Sequence, residues 1–218
     1  MTHTDWLVCH GVIDPPAPAP QGRDARKRLL DATLGLVRAQ GYAATSVDEL
    51  CRAAGVTKGA FFHHFKSKDE LAVAAANYWS ETTGALFASA PYHGHADPLE
   101  RVLAYVDFRA ALIEGAPAEF TCLVGTMVQE AFAANDAIRA ACEASIFGHA
   151  ATLEADIEAA RIRYKIAGDW TAKSLALHTQ AVLQGAFILA KAQGGPEVAR
   201  DMVAHLKRYF ELLFSKGG

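Results

Sequence analysis

The sequence predicts an all-α protein of about nine helices: a compact three-helix unit, then a longer helical region. Three observations carry this. The chain is rich in alanine, 51% of it is hydrophobic, and it has few β-branched runs, a composition that favours helix. Its apolar residues recur at i, i+3, i+4 and i+7, the spacing of one helix face. Its periodic stretches open on Ser, Thr, Asp or Asn and close on Gly or Pro, the residues that start and stop helices. At 218 residues there is material for one large domain or two modest ones.

Residues 1–21 contain Pro15-Pro-Ala-Pro-Ala-Pro20 and read as a flexible extended tail. The first helix runs over about 23–40, with Leu29, Leu30, Leu34 and Val37 as its buried stripe and Gly41 as its stop. Ser46 and Glu49 form a capping box for the second, whose inner face is Val47, Leu50, Cys51 and Ala54. Gly55 supplies the left-handed turn. Thr57 caps the third helix, 58–64, which turns Phe61 and Phe65 inward and leaves Lys58, Gly59, Phe62 and His63 outward; His64 is expected to be partly buried. Ser67-Lys-Asp-Glu70 reads as a second capping box, opening a helix to about residue 89. After a loop at 91–96, Asp97-Pro98 restarts helix to about 114. Further helices are expected at 118–133, at 135–166 behind an Asn135 cap, at 169–193 behind an Asp169 cap, and at 196–214. The domains are then a tail (1–21), a three-helix unit (22–67) and a second helical domain (68–218).

Two short helices joined by a tight turn, with a third helix following, form a helix-turn-helix, the unit that lays its second helix in a DNA groove. Charge coincides with it. Residues 22–68 carry nine Lys or Arg against four acids, net +5, on a chain whose total is −3; a basic end on an acidic protein is the footprint of a phosphate-binding surface. The run Gly41-Tyr-Ala-Ala-Thr-Ser-Val-Asp-Glu-Leu50, then Ala54 through Leu71, resembles the DNA-binding domain of the TetR family of transcriptional repressors over about 24–71. The resemblance implies contacts to DNA from Thr45, Ser46, Thr57, Lys58, Gly59, Ala60, Phe62, His63, His64 and Lys68. Lys58 has the reach for a phosphate or a guanine edge, and the Ala60 methyl can meet a thymine methyl. Position 62 departs from the family: Phe62 stands where a Tyr is usual, which removes one phosphate hydrogen bond worth about 1 kcal/mol. His63 and His64, adjacent on a helix, point about 100° apart and are poorly placed to chelate one metal.

The same resemblance implies a homodimer joined by the last two helices, through small residues such as Ala181 and Gly185 and a stripe including Val198, Met202, Leu206, Tyr209, Phe210 and Leu213. It also implies an effector cavity in the second domain. Phe87, Tyr105, Phe108, Met127, Phe147, Trp170 and His178 are the candidate lining, and they predict an apolar cavity for a small apolar molecule. Residues 120–130 resemble a segment from one branch of the family, some of whose members sense electrophiles through a cysteine. Cys122, at a helix start that favours thiolate, is then either a redox sensor or a packing residue. No cofactor or metal is expected. No apolar run approaches the ~20 residues of a membrane span, the start lacks a secretory pattern, and the four cysteines have no CxxC spacing, so a cytoplasmic protein is expected. The function read from all this is a ligand-responsive repressor on a palindromic DNA operator. The alternatives are an activator of the same fold or an all-helical enzyme, although no catalytic motif for hydrolysis, phosphate or dinucleotide binding is present.

Overall fold

In the computed structural model, residues 21–215 are described, and side chains from Asp24 onward. The expected tail lies outside the described residues apart from Gln21, which opens the first helix. Every regular element among the described residues is helical. They are α1 (Gln21–Gln40), α2 (Val47–Ala54), α3 (Lys58–His64), α4 (Lys68–Ala88), a 3-10 turn (Pro91–Gly94), α5 (Pro98–Ala111), α6 (Pro117–Phe120), α7 (Leu123–Ala131), α8 (Asp136–Ala151), α9 (Glu154–Arg163), α10 (Ala172–Gln193) and α11 (Glu197–Ser215).

Two expected helices are broken. The stretch 118–133 divides because Thr121 is extended and buried, so Cys122 restarts the chain as the cap of α7. The stretch 135–166 divides at Thr152, whose hydroxyl bonds back to the His149 carbonyl while Leu153 turns into the core, and α9 ends before Lys165, which takes a left-handed backbone (φ 55°). The cap of α10 is Thr171, which accepts from the Ser174 N–H, and not Asp169. The Ser67 box is also altered. Ser67 accepts the Glu70 N–H, but the Glu70 carboxylate reaches back to the N–H of Lys66.

The buried side chains form two clusters. One joins Leu29, Leu50, Phe61 and Phe65 of the first three helices to Leu71 and Ala75 of α4, and continues into Leu123, Met127, Ile138 and Cys142 of α7 and α8. The other lies among α5, α9, α10 and α11 and includes Val102, Tyr105, Ile157, Leu183, Leu206 and Phe210. Helix α4 belongs to both: its N-terminal half supports the three-helix unit, and Phe87 near its other end is in the second cluster.

Candidate nucleic-acid interface and effector cavity

The helix-turn-helix is assembled by local bonds. Ser46 Oγ accepts the Glu49 N–H at 3.2 Å, and Glu49 Oε2 accepts the Ser46 N–H at 2.8 Å; that N–H and then the Ser46 hydroxyl, which also donates to Oε2, hold the Glu49 carboxyl below its ordinary pKa. Gly55 turns the chain with φ 61°, in the region that favours glycine. Thr57 Oγ1 accepts the Ala60 N–H at 3.1 Å and starts α3. Phe61 and Phe65 then enter the core, with Arg26 lying 5.4 Å over the Phe65 ring. Phe62 stays 56% exposed, its ring edge-on to Phe61 at 5.1 Å.

Lys58, Gly59, Phe62 and His63 share the exposed side of α3, with Ala60 and His64 half-buried beside them. Burial, then the charges of His63 and Arg26, lower the His64 pKa. The Lys58 ammonium pairs with Asp48 at 2.7 Å, both side chains being largely exposed. Two of the expected DNA residues face elsewhere. Thr45 is 1% exposed, and its hydroxyl donates to the Gly41 carbonyl at 2.6 Å. Half-buried Lys68 donates to the Tyr42 and Thr45 carbonyls at 3.1 and 3.0 Å and sits 4.3 Å over the Tyr42 ring. Lys68 therefore clamps the turn between α1 and α2 onto α4. Tyr42 completes the clamp by donating its hydroxyl to Asp69; burial and Asp69 push its pKa up, so it remains a donor. Nothing local in the sequence marks this clamp, because its partners are some 25 residues apart.

A cavity of about 390 Å³ lies between the C-terminal half of α4 and helices α5, α7, α8 and α10. Of the seven expected lining residues, Phe87 lines it. Tyr105 is buried behind it, bonded to His149, and Phe108 packs edge-on against Phe87. The other four lie elsewhere, because helical period alone does not say which core a face meets. Met127 is in the first cluster, Phe147 is 50% exposed, Trp170 packs on Phe214, and His178 packs on Tyr209 at the surface. The walls also differ from the apolar expectation. They include Arg38, Arg109, His149, Gln180 and Gln184, polar residues that a search for aromatic stripes passes over.

Within the cavity, Arg38 has two of its five N–H donors bonded. It donates to the Leu34 and Glu119 carbonyls at 2.8 and 3.0 Å and lies 5.3 Å over Trp79. Gln180 Nε2 donates weakly to the Tyr105 hydroxyl (3.5 Å), and that hydroxyl is 2.9 Å from His149 Nε2. Burial, and then the charge of Arg109, push the His149 pKa down to about 4, so the ring is neutral near pH 7. Cys122 is half-buried on the wall, and its Sγ accepts the Gly125 N–H at 3.4 Å.

Several contacts tie this region to the helix-turn-helix. Glu130 of α7 accepts the Ala43 N–H at 2.6 Å, Asn135 before α8 donates to Asp69 at 2.9 Å, and Arg38 reaches the Glu119 carbonyl. A groove of about 510 Å³ with Asp69, Glu70 and Tyr78 in its wall runs along the α1–α4 seam nearby.

Comparison with known proteins agrees with this architecture. The sequence profile of bacterial regulatory proteins of the tetR family matches residues 29–75, and that of the tetracyclin repressor-like C-terminal domain matches 98–206. Transcriptional regulator AcuR of Cereibacter sphaeroides is 31% identical over 126 residues, 58% of each chain, so the match spans less than two thirds of AcuR. The HTH-type transcriptional regulator LmrA of Bacillus subtilis is 26% identical over 175 residues, 77% of this chain and 86% of LmrA. Among solved structures, a TetR transcriptional regulator from Chloroflexus aurantiacus superposes with a TM-score of 0.76 at 26% identity, covering 88% of this chain and 97% of that one. The reduced form of E. coli NemR superposes at 0.72 and 24% identity, covering 85% and 96%, a likeness of fold. With the second profile spanning half of its length and the first covering the helix-turn-helix, the chain belongs to the TetR family of transcriptional regulators.

Proposed function

We propose that this regulator is a repressor: a cytoplasmic homodimer that holds a palindromic operator with α3 of each subunit and releases it when a small molecule fills the 390 Å³ cavity. The reading head is residues 22–67, and residues 68–218 serve effector binding and dimerisation. The observation that carries the DNA contact is the two-sidedness of α3. Phe61 is wholly buried, whereas its neighbour Phe62 is 56% exposed beside Lys58, Gly59 and His63, on the segment where the chain's basic charge collects. Ser46 and Thr57, exposed at the starts of α2 and α3, flank this face and suit phosphate contacts.

Support for the dimer comes from the outer side of the last two helices. Ala181, Ile188 and Leu189 of α10 and Tyr209 and Leu212 of α11 are exposed, while Leu206 and Phe210 face their own core. A single recognition helix reads few base pairs; a two-fold pair reads two half-sites. Support for effector control comes from α4. It carries the Lys68 clamp at one end and lines the cavity with Trp79, Thr83 and Phe87 at the other. A ligand that prefers one setting of this lever shifts the population of reading-head positions.

Fluorescence anisotropy with duplexes from the DNA upstream of the gene tests the reading. Two subunits should bind one inverted repeat, and affinity should fall linearly in log–log with salt. A protein that stays monomeric and ignores duplex DNA in dilute buffer rules it out. The position of the bound repeat relative to the promoter separates repressor from activator. Cys122 gives a second route of control, favoured by its half-buried place on the cavity wall. Thiol mapping after quinone exposure tests it, and an unmodified Cys122 ends it.

A further inference from the structure

Arg109 projects from α5 into the cavity, and among the described residues no hydrogen bond or ion pair engages its guanidinium, which lies 5.2 Å from the Phe87 ring centre and 5.8 Å from that of Phe187. The neighbouring charged groups have other partners. Arg38 gives two of its five N–H donors to backbone carbonyls. The Glu119 carboxylate, the acid on the cavity wall, accepts the Ala116 N–H at 2.7 Å. Asp107, two residues before Arg109, pairs with Lys207 on the surface. His149 adds no negative charge and is neutral near pH 7. Among the described residues no acceptor is bonded to the half-buried guanidinium, which leaves its five N–H donors for a bound molecule.

The ring faces alone hold the guanidinium weakly and leave its N–H edge open to a ligand. The guanidinium fork matches a carboxylate, which accepts two parallel N–H bonds. Phe87, Phe120, Phe187, Leu112 and Ile113 supply apolar wall around it, and the volume suits a molecule of modest size.

We propose that the cavity selects a small organic anion, a monocarboxylate with an apolar body, whose carboxylate pairs with Arg109 and whose body lies against the surrounding phenylalanines. This rests on reading the cavity as the effector site, and it replaces the wholly apolar effector that the sequence suggests. Bidentate charge-assisted bonds supply orientation, and the ring faces that already flank Arg109 hold its fork in place for them.

Isothermal titration of the full chain with matched pairs tests it: benzoate against benzamide, and hexanoate against hexanamide. The acids should bind at least about tenfold more tightly than the amides. Arg109→Gln should abolish that preference, and Arg109→Lys, which keeps the charge but loses the fork, should retain part of it. Ligand-free melting of each variant reports whether its fold is intact; should Arg109→Gln fail to fold, the acid-over-amide preference of the native chain and the Arg109→Lys result decide. Amides binding as tightly as acids, Arg109→Gln binding acids as the native chain does, or no acid saturating the protein by about 10 mM would each overturn the proposal. Operator binding measured in the same samples separates the two readings. Acids that bind without changing DNA affinity sink the effector reading and leave the anion site, whereas amides that release DNA do the reverse.

Discussion

Three cations of the reading head and one of the cavity are held in opposite ways. On the head, each has a polar partner within the molecule. Lys58 pairs with Asp48, Arg28 with Asp24, and Lys68 with two backbone carbonyls. In the cavity, Arg109 has ring faces only. Exposed pairs are worth between zero and about 1 kcal/mol, so a DNA phosphate can replace Asp48 at little cost. Arg109 has no carboxylate of the chain to displace, so its fork is open to a ligand. On the proposed reading the two surfaces serve different partners: a polyanion that must come and go, and a small molecule that must be recognised.

Core truncation gives the largest effect that sharpens this contrast. Phe61→Ala should destabilise the protein by about 3–5 kcal/mol, because Phe61 is fully buried, whereas Phe62→Ala should change stability by less than about 0.5 kcal/mol while weakening operator binding. Denaturant unfolding and anisotropy on both variants read the difference; equal stability losses would mean that α3 is not two-sided.

Protonation of His149 comes next. Its folded pKa of about 4 lies below the ordinary 6.5, so between these values the unfolded chain binds more protons and stability rises with pH. The contribution is present above pH 6.5 and is lost as pH falls to about 4, by roughly 3 kcal/mol. Urea titrations across that range should show a steeper loss for the native chain than for His149→Gln, and parallel curves would mean that the ring is not held neutral.

The smallest effects compare two lysines. Lys68→Met should cost about 1–3 kcal/mol of stability, because it leaves the Thr45 carbonyl without its donor and the Tyr42 carbonyl with the Thr45 N–H alone. Lys58→Met should leave stability within about 0.5 kcal/mol and lower the salt slope of DNA binding by about one. The reverse ranking in thermal melts would place Lys68, and not Lys58, at the DNA.

What was legible in advance follows the range of the interactions. The caps Ser46, Thr57, Asp97 and Asn135 stand where the sequence puts them, because an N-cap is a bond over two or three residues. The inward pair Phe61 and Phe65 and the outward Phe62 follow from helical period in the same way. The period could not reveal which of two cores Met127 joins, or that Trp170 and His178 pack beside α11. The resemblance offers Thr45 and Lys68 as DNA contacts; the turn bonds they make with Gly41, Tyr42 and the Thr45 carbonyl depend on neighbours in space.

The amino-acid sequence by itself determined the helical class, the helix-turn-helix with its turn at Gly55, and the basic charge gathered there, since each depends on groups a few residues apart. Tertiary structure alone decided the cavity and the character of its wall. Arg38, Arg109, His149 and Gln184 come from α1, α5, α8 and α10 and meet only when those helices pack. Their pairing, their burial and the neutrality of His149 are properties of that meeting and not of any one segment.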